Sequence, residues 1–247
     1  MKKRIPWVLL RAVPLPVRVA AAGCALLALF ALANWIYQAA RKPSEILFPV
    51  SGALYKTPEA TWREYGRLFR GHATAVITPE LLAALTQVEG GGNPLARTYW
   101  RWQLAWNPFE VYQPASSAVG MLQITDARFA EAKRYCIHNH QAVDDACWFN
   151  GLYNRLLPSH AVELTAAFLD RSVAHVMARA RIARATLQQK QDLAAVIHLC
   201  GAGPAEAYAR GGFRTGAGQR CGEHGLAAYL GQVNGAKRRF ARLAAGG

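Results

Sequence analysis

Glu89 is the residue of this 247-residue chain whose surroundings ask most of its chemistry. In the run Pro79 to Glu89 the strongly apolar residues stand at 81, 82, 85 and 88. At about 100° per residue they fill an arc of roughly 120°, and Glu89 falls inside it, one turn beyond Leu85. A carboxylate at the last position of a buried helix face loses hydration and sits at the negative end of the helix, and both raise its pKa. Such a group holds a proton near neutral pH, as a general acid must. The same Glu frayed into solvent would do nothing.

A second set of reactive residues is the cysteines. Outside an N-terminal apolar run there are four, Cys136, Cys147, Cys200 and Cys221. In an oxidising compartment the economical pairing is Cys136 with Cys147 and Cys200 with Cys221. Cys136, His138, His140 and Cys147 also offer zinc-type ligands within a short stretch, but the spacing is not a usual structural-zinc pattern, and no metal or cofactor is expected. Both histidines otherwise belong to a solvated loop.

The elements that must position Glu89 are helical. Thr57-Pro58 and Thr78-Pro79 pair an N-cap with a first-turn proline, and Gly90-Gly91-Gly92 stops the second helix. Helical patterns resume over 126–135, 144–157, 159–181, 188–199, 204–209 and 226–243, and no stretch shows sustained alternation of the kind strands need. The expected fold class is all-α. Between Trp100 and Pro114 the chain is irregular and aromatic, with Trp100, Trp102, Trp106, Phe109 and Tyr112; it reads equally as a loop over a cleft or as rings plugging the core.

Residues 19–40 carry no charge and as a helix span about 30 Å, one bilayer core. Lys2, Lys3, Arg4, Arg11 and Arg18 precede the run, and Arg41 and Lys42 follow it. The expected arrangement is a cytoplasmic segment 1–18, a single-pass inner-membrane anchor 19–40, a periplasmic stalk 41–56 and a catalytic domain 57–247, with Trp35 and Tyr37 at the outer interface. Cleavage of a signal sequence after Ala33 is the rival reading. Beyond residue 42 there remain 22 basic and 15 acidic residues. That excess suits an anionic partner without distinguishing nucleic acid, a membrane surface or peptidoglycan.

Four segments resemble one family in order. Glu89-Gly90-Gly91-Gly92-Asn93-Pro94 is similar to the Glu-Ser-x-x-Asn-Pro element of soluble lytic transglycosylase (SLT) domains, and Gly120-Met121-Leu122-Gln123 to their Gly-Leu-Met-Gln. Gly201-Ala202-Gly203-Pro204 is similar to the end of the third motif, and Tyr229-Leu230-Gly231-Gln232-Val233 to the last. The resemblance covers about two-thirds of the chain. It implies a goose-type lysozyme-like fold and cleavage between N-acetylmuramic acid and N-acetylglucosamine. Glu89 would be the single acid/base, Met121 and Gln123 would line the cleft and contact sugar, Tyr229 would reach Glu89 or substrate, and Gly120 would let the backbone approach closely. Asn93 belongs to the first motif, and Tyr112 to the aromatic segment that lengthens the interval to the second.

The departures carry as much information as the matches. Gly90 replaces the usual Ser, and Cys200-Gly201 replaces the Tyr-Asn pair of the third motif. His198, one turn earlier, is placed to substitute for those contacts or to sit in the core. Glu89 and the resemblance favour peptidoglycan strands as partner, with assembly of a secretion or conjugation machine as a further association, and no nucleic acid is expected. A lysozyme-type hydrolase using Asp126, Asp144, Asp145 or Glu163 as second carboxylate is one rival. An inactive peptidoglycan-binding scaffold is the other.

Overall fold

Local punctuation sets the helices. The computed structural model describes residues 13–246, so Lys2, Lys3, Arg4 and Arg11 of the expected cytoplasmic segment lie outside the described residues. The described helices are α1 (Leu15–Arg41), α2 (Pro58–Gly71), α3 (Pro79–Gly90), α4 (Asp126–Ala132), α5 (Pro158–Arg179), α6 (Leu187–Cys200), α7 (Ala202–Arg210) and α8 (Leu226–Ala245), besides short turns over 43–54 and elsewhere. Thr57 and Thr78 cap α2 and α3 by accepting from the Ala60 and Leu81 N–H groups, and Gly91 closes α3 in the left-handed region at φ 56°. The protein is predominantly helical.

Among the described residues, three two-stranded hairpins stand beside the helices of the expected all-α class: β1 (Trp100–Trp102) with β2 (Tyr112–Pro114), β3 (Cys136–His138) with β4 (Gln141–Val143), and β5 (Arg220–Cys221) with β6 (His224–Gly225). At two or three residues each they are too short to show a period. The helix expected over 144–157 is also absent. Ala146 takes φ 55°, the Cys136–Cys147 disulfide ties the segment back to β3, and only a 3₁₀ turn, Trp148–Leu152, remains.

The chain divides into two units. The larger comprises Leu47–Thr98 and Ser116 onward. Its core gathers Phe69, Leu81, Leu82, Leu85, Leu122, Leu164, Leu193, Ile197 and Phe240. Helix α3 is buried on more than its apolar arc, since Ala83, Ala84 and Thr86 are also inaccessible, and it packs chiefly against α8 and α2. The last part of the expected stalk belongs to this unit. Lys56 N donates to Gly91 O, Gln87 Nε2 to Lys56 O and Asn93 Nδ2 to Ser51 O, so residues 51–56 are fixed to the end of α3.

The smaller unit joins α1 to residues Tyr99–Ala115. Helix α1 is long and apolar enough to cross a membrane, with a mean hydropathy of 2.1 over its most apolar window. The aromatic segment is neither an irregular loop nor a core plug. It is the β1–β2 hairpin, with Trp102 opposite Tyr112 and both rings stacked, and its Phe109 stacks on Phe30 and Tyr37 of α1.

Candidate active site

Four side chains from four helices converge at the end of α3. Glu89, next to last in α3, keeps 16% of its side chain exposed. From α8, the Tyr229 hydroxyl donates to Glu89 Oε1 at 2.5 Å. From α6, His198 Nε2 lies 3.6 Å from the same oxygen, and no hydrogen bond satisfies that buried nitrogen. From α4, Arg128 Nη2 donates to Ile197 O at 3.1 Å in the last turn of α6, which sets its charge beside Glu89.

The electrostatics divide into two opposing sets. Burial pushes the Glu89 carboxyl above its ordinary value, outweighing the Tyr229 hydrogen bond and the charges of Arg128 and His224, which favour the carboxylate. The carboxyl is therefore biased towards the protonated form, while Tyr229 and Arg128 stand ready to stabilise the anion once the proton leaves. Burial, then Arg128, drives the His198 imidazole down to about 3 against a backbone hydrogen bond at Leu122, so this ring is neutral at physiological pH. Tyr229 is held far above ordinary phenol acidity by burial and by Glu89, and remains a donor.

The loops behind Glu89 explain the residues that follow it. A Cβ at Gly90 would stand 2.6 Å from Met121 O and 2.7 Å from Met121 Cα, so the serine of the resembled motif has no room here. Gly120, at φ 79°, lies so close to Arg155 that a Cβ would come within 2.6 Å of its carbonyl. Arg155 also binds Ser117 O, Ile124 O and Asp126, fastening the 117–126 loop.

The other expected contact residues meet different fates. Met121 is fully buried and offers no side-chain surface to a sugar; its backbone is what presses on Gly90. Asn93 is fully buried as well, accepting from Leu95 N and donating to Ser51 O, so it organises the loop. Gln123, half-buried at φ 44°, gives its amide to Ala96 O and Gly120 O. Tyr112 belongs to the smaller unit, where its ring stacks on Trp102 and lies tilted against Trp100, and its carbonyl accepts from Asn34. His198 stands within the core against Glu89 rather than on an open surface.

Arg128, beside Glu89, and Arg155, which fastens the 117–126 loop, are the residues around the candidate site that sequence reasoning missed. Thr125-Asp126 announces the start of α4 but nothing nearby announces that Arg128, two residues on, will meet the end of α6. Arg128 also lines a surface cavity of about 460 Å³ with Tyr135, Arg171, His175, Gly201 and Ala202.

Both disulfides have the expected partners, with Cα–Cα separations of 5.5 Å for Cys136–Cys147 and 5.3 Å for Cys200–Cys221. The first consumes both sulfurs of the zinc alternative. Near it, His140 Nδ1 contacts Ala73 O and His138 is exposed. The second bridge joins the end of α6, two residues past His198, to the β5–β6 hairpin that leads into α8 and Tyr229. Of the four candidates for a second carboxylate, three are engaged elsewhere: Asp126 with Arg155, Asp144 with Arg171, and Glu163 with Tyr153 and Ile137 N; Asp145 lies exposed beside the Cys136–Cys147 bridge. Compared with protein-family models, with curated proteins and with solved structures, the chain matches none.

Proposed function

We propose that this protein is a membrane-anchored lytic transglycosylase acting on peptidoglycan, with Glu89 as its single acid/base. The observation that carries the reading is a carboxyl group raised by burial and held by one phenol hydroxyl, with no other carboxylate, among the described residues, in the set of groups that act on it. Hydrolytic glycosidases generally need a second carboxylate about 5 to 9 Å from the first to activate water or attack the sugar.

In the first step the Glu89 carboxyl gives its proton to the glycosidic oxygen as the bond from that oxygen to C1 of the muramic acid breaks and C1 becomes oxocarbenium-like. Tyr229 and Arg128 stabilise the carboxylate left behind. That carboxylate then removes the proton of the sugar's C6 hydroxyl, whose oxygen bonds to C1. Glu89 is again protonated, the product is a 1,6-anhydro end, and no water is consumed. Environment-tuned acidity makes one group serve both steps.

Helix α1 serves as the inner-membrane anchor, and the domain stands in the periplasm. Support comes from the basic residues ahead of α1 and from two disulfides, which persist in oxidising compartments. A reporter fused to the C-terminus should be active only outside the cytoplasm. The chemistry is tested by mass spectrometry of the fragments released from purified sacculi. Anhydro ends support the transglycosylase, reducing ends a hydrolase, and absence of release a peptidoglycan-binding module of a secretion or conjugation machine.

A further inference from the structure

We infer that the β1–β2 hairpin is a second membrane element, an aromatic foot that lies in the outer lipid interface beside α1. The inference rests on the anchoring of α1 proposed above. It begins from surface that water would not choose: Trp102 is 74% exposed, and Leu104 and Trp106, at the turn of the hairpin, are fully exposed. Large apolar side chains grouped in this way mark an interaction surface.

What covers them follows from where the hairpin is fastened. Asn34 Nδ2 donates to Tyr112 O at 2.9 Å and Gln38 Nε2 donates to Phe109 O, so two polar side chains within the uncharged run 19–40 find their acceptors in the hairpin backbone. Arg41 pairs with Glu110 at 3.0 Å, and Asn107 Nδ2 donates to the Tyr37 hydroxyl. The Phe109 ring lies 5.8 Å from Phe30 and 5.2 Å from Tyr37. Those two residues are seven apart on α1, about 10 Å along its axis, so Phe109 is level with the helix between them. With Arg41 at the outer headgroups, where Glu110 meets it, the Phe109 ring stands about 10 Å further in, so the hairpin spans the depth from the headgroups to their boundary with the acyl chains.

At that depth the chemistry agrees. Indole rings prefer the interface because one edge is polar and the body is not, and Leu104 enters the apolar side. Arg101 on β1 is exposed and adds a cation for anionic headgroups. Irregular backbone is tolerated there because its polar groups are paired with α1 or reach water. Exposed indoles also suit stacking on sugar rings, but a sugar-binding face has no need to be fastened along the C-terminal half of an apolar helix.

The full chain, reconstituted into vesicles of phosphatidylethanolamine and phosphatidylglycerol, provides the test. An environment-sensitive fluorophore is placed on the free Cys24 of α1 in one sample. In two others it is placed on Leu104→Cys or Trp106→Cys in a Cys24→Ser background. Lipids carry a quencher either near the headgroup or deep in the acyl chain. Positions 104 and 106 should show a blue-shifted emission that the shallow quencher removes, while position 24 responds to the deep one. Water-like emission at 104 and 106, with position 24 still quenched, overturns the hairpin's role and leaves the anchor standing. Blue-shifting at 104 and 106 only on addition of glycan strands also overturns it, in favour of sugar binding. An unquenched position 24 removes the anchor and this inference with it.

Discussion

The Tyr229 hydroxyl and the Glu89 carboxylate meet at 2.5 Å although 140 residues separate them in the chain. The pair is made by α8 lying along α3, so the acidity of Glu89 is set by the packing of two helices rather than by its sequence neighbours. Replacing Glu89 by Gln should abolish glycan release, at or beyond the upper end of the about 10² to 10⁴ usually attributed to general acid/base transfer. Folding should survive. Because the folded-state pKa of Glu89 is raised, its burial costs nothing below the ordinary carboxylate range and destabilises progressively as pH rises through the raised value. Glu89→Gln should therefore match the wild type in acid and exceed its stability near neutral pH. Digestion of sacculi by this variant at the wild-type rate would remove Glu89 from the mechanism.

Tyr229→Phe and Arg128→Met should each shift the pH profile of kcat/KM in the same direction. Both residues favour the carboxylate, so losing either raises the Glu89 pKa, and the limb on which activity falls as the acid deprotonates should move to higher pH. Arg128→Lys should restore most of the profile because it keeps the charge. An unmoved limb in Arg128→Met would show that this side chain matters only for its bond to Ile197.

His198 should make the protein acid-sensitive. Its folded-state value near 3 lies below the unfolded value near 6.5, so between these the unfolded chain binds a proton that the folded one refuses. Stability should fall as pH drops through that window, and urea titrations of His198→Gln should show a shallower acid slope. Equal slopes in the two proteins would mean that the imidazole is hydrated when folded.

Placing at position 90 the serine of the resembled motif should harm this protein. A side chain at position 90 meets the Met121 backbone, which cannot swing away, and overpacking of that kind costs about 1 to 3 kcal/mol. Gly90→Ser should melt lower and lose activity with it; unchanged melting and higher turnover would count against the close approach.

The two disulfides should separate in their effects. Cys200→Ser with Cys221→Ser opens a loop with a sequence separation of 21, worth about 3 kcal/mol in a chain-entropy account, and also frees the approach to Tyr229. Cys136→Ser with Cys147→Ser should cost stability but leave the Glu89 pH profile in place. A shifted profile in the second variant alone would reverse this assignment.

What could be read from the sequence was whatever depends on near neighbours. Thr57-Pro58 and Thr78-Pro79 fix helix starts through contacts within one turn, and each cysteine pair closes a short loop. The position of Glu89 on a buried arc was legible for the same reason. Arg128 was not, because its meaning lies in the Ile197 carbonyl of a helix far along the chain. Asn93 and Gln123 carry polar side chains that suit sugars equally well, and only the fold reveals that backbone groups already occupy them. The hairpin at 100–114 shows only aromatic composition in sequence; its partner is α1, more than sixty residues earlier.

The position of Tyr229 on the last described helix also bears on biogenesis. Until α8 has folded back against α3, Glu89 lacks that helix's wall and the phenol it carries, and with them part of the burial that raises its carboxyl. On the proposed function, a chain in which α8 has not yet packed against α3 would lack the tuned acid, so its chemistry would be switched on by the docking of that helix.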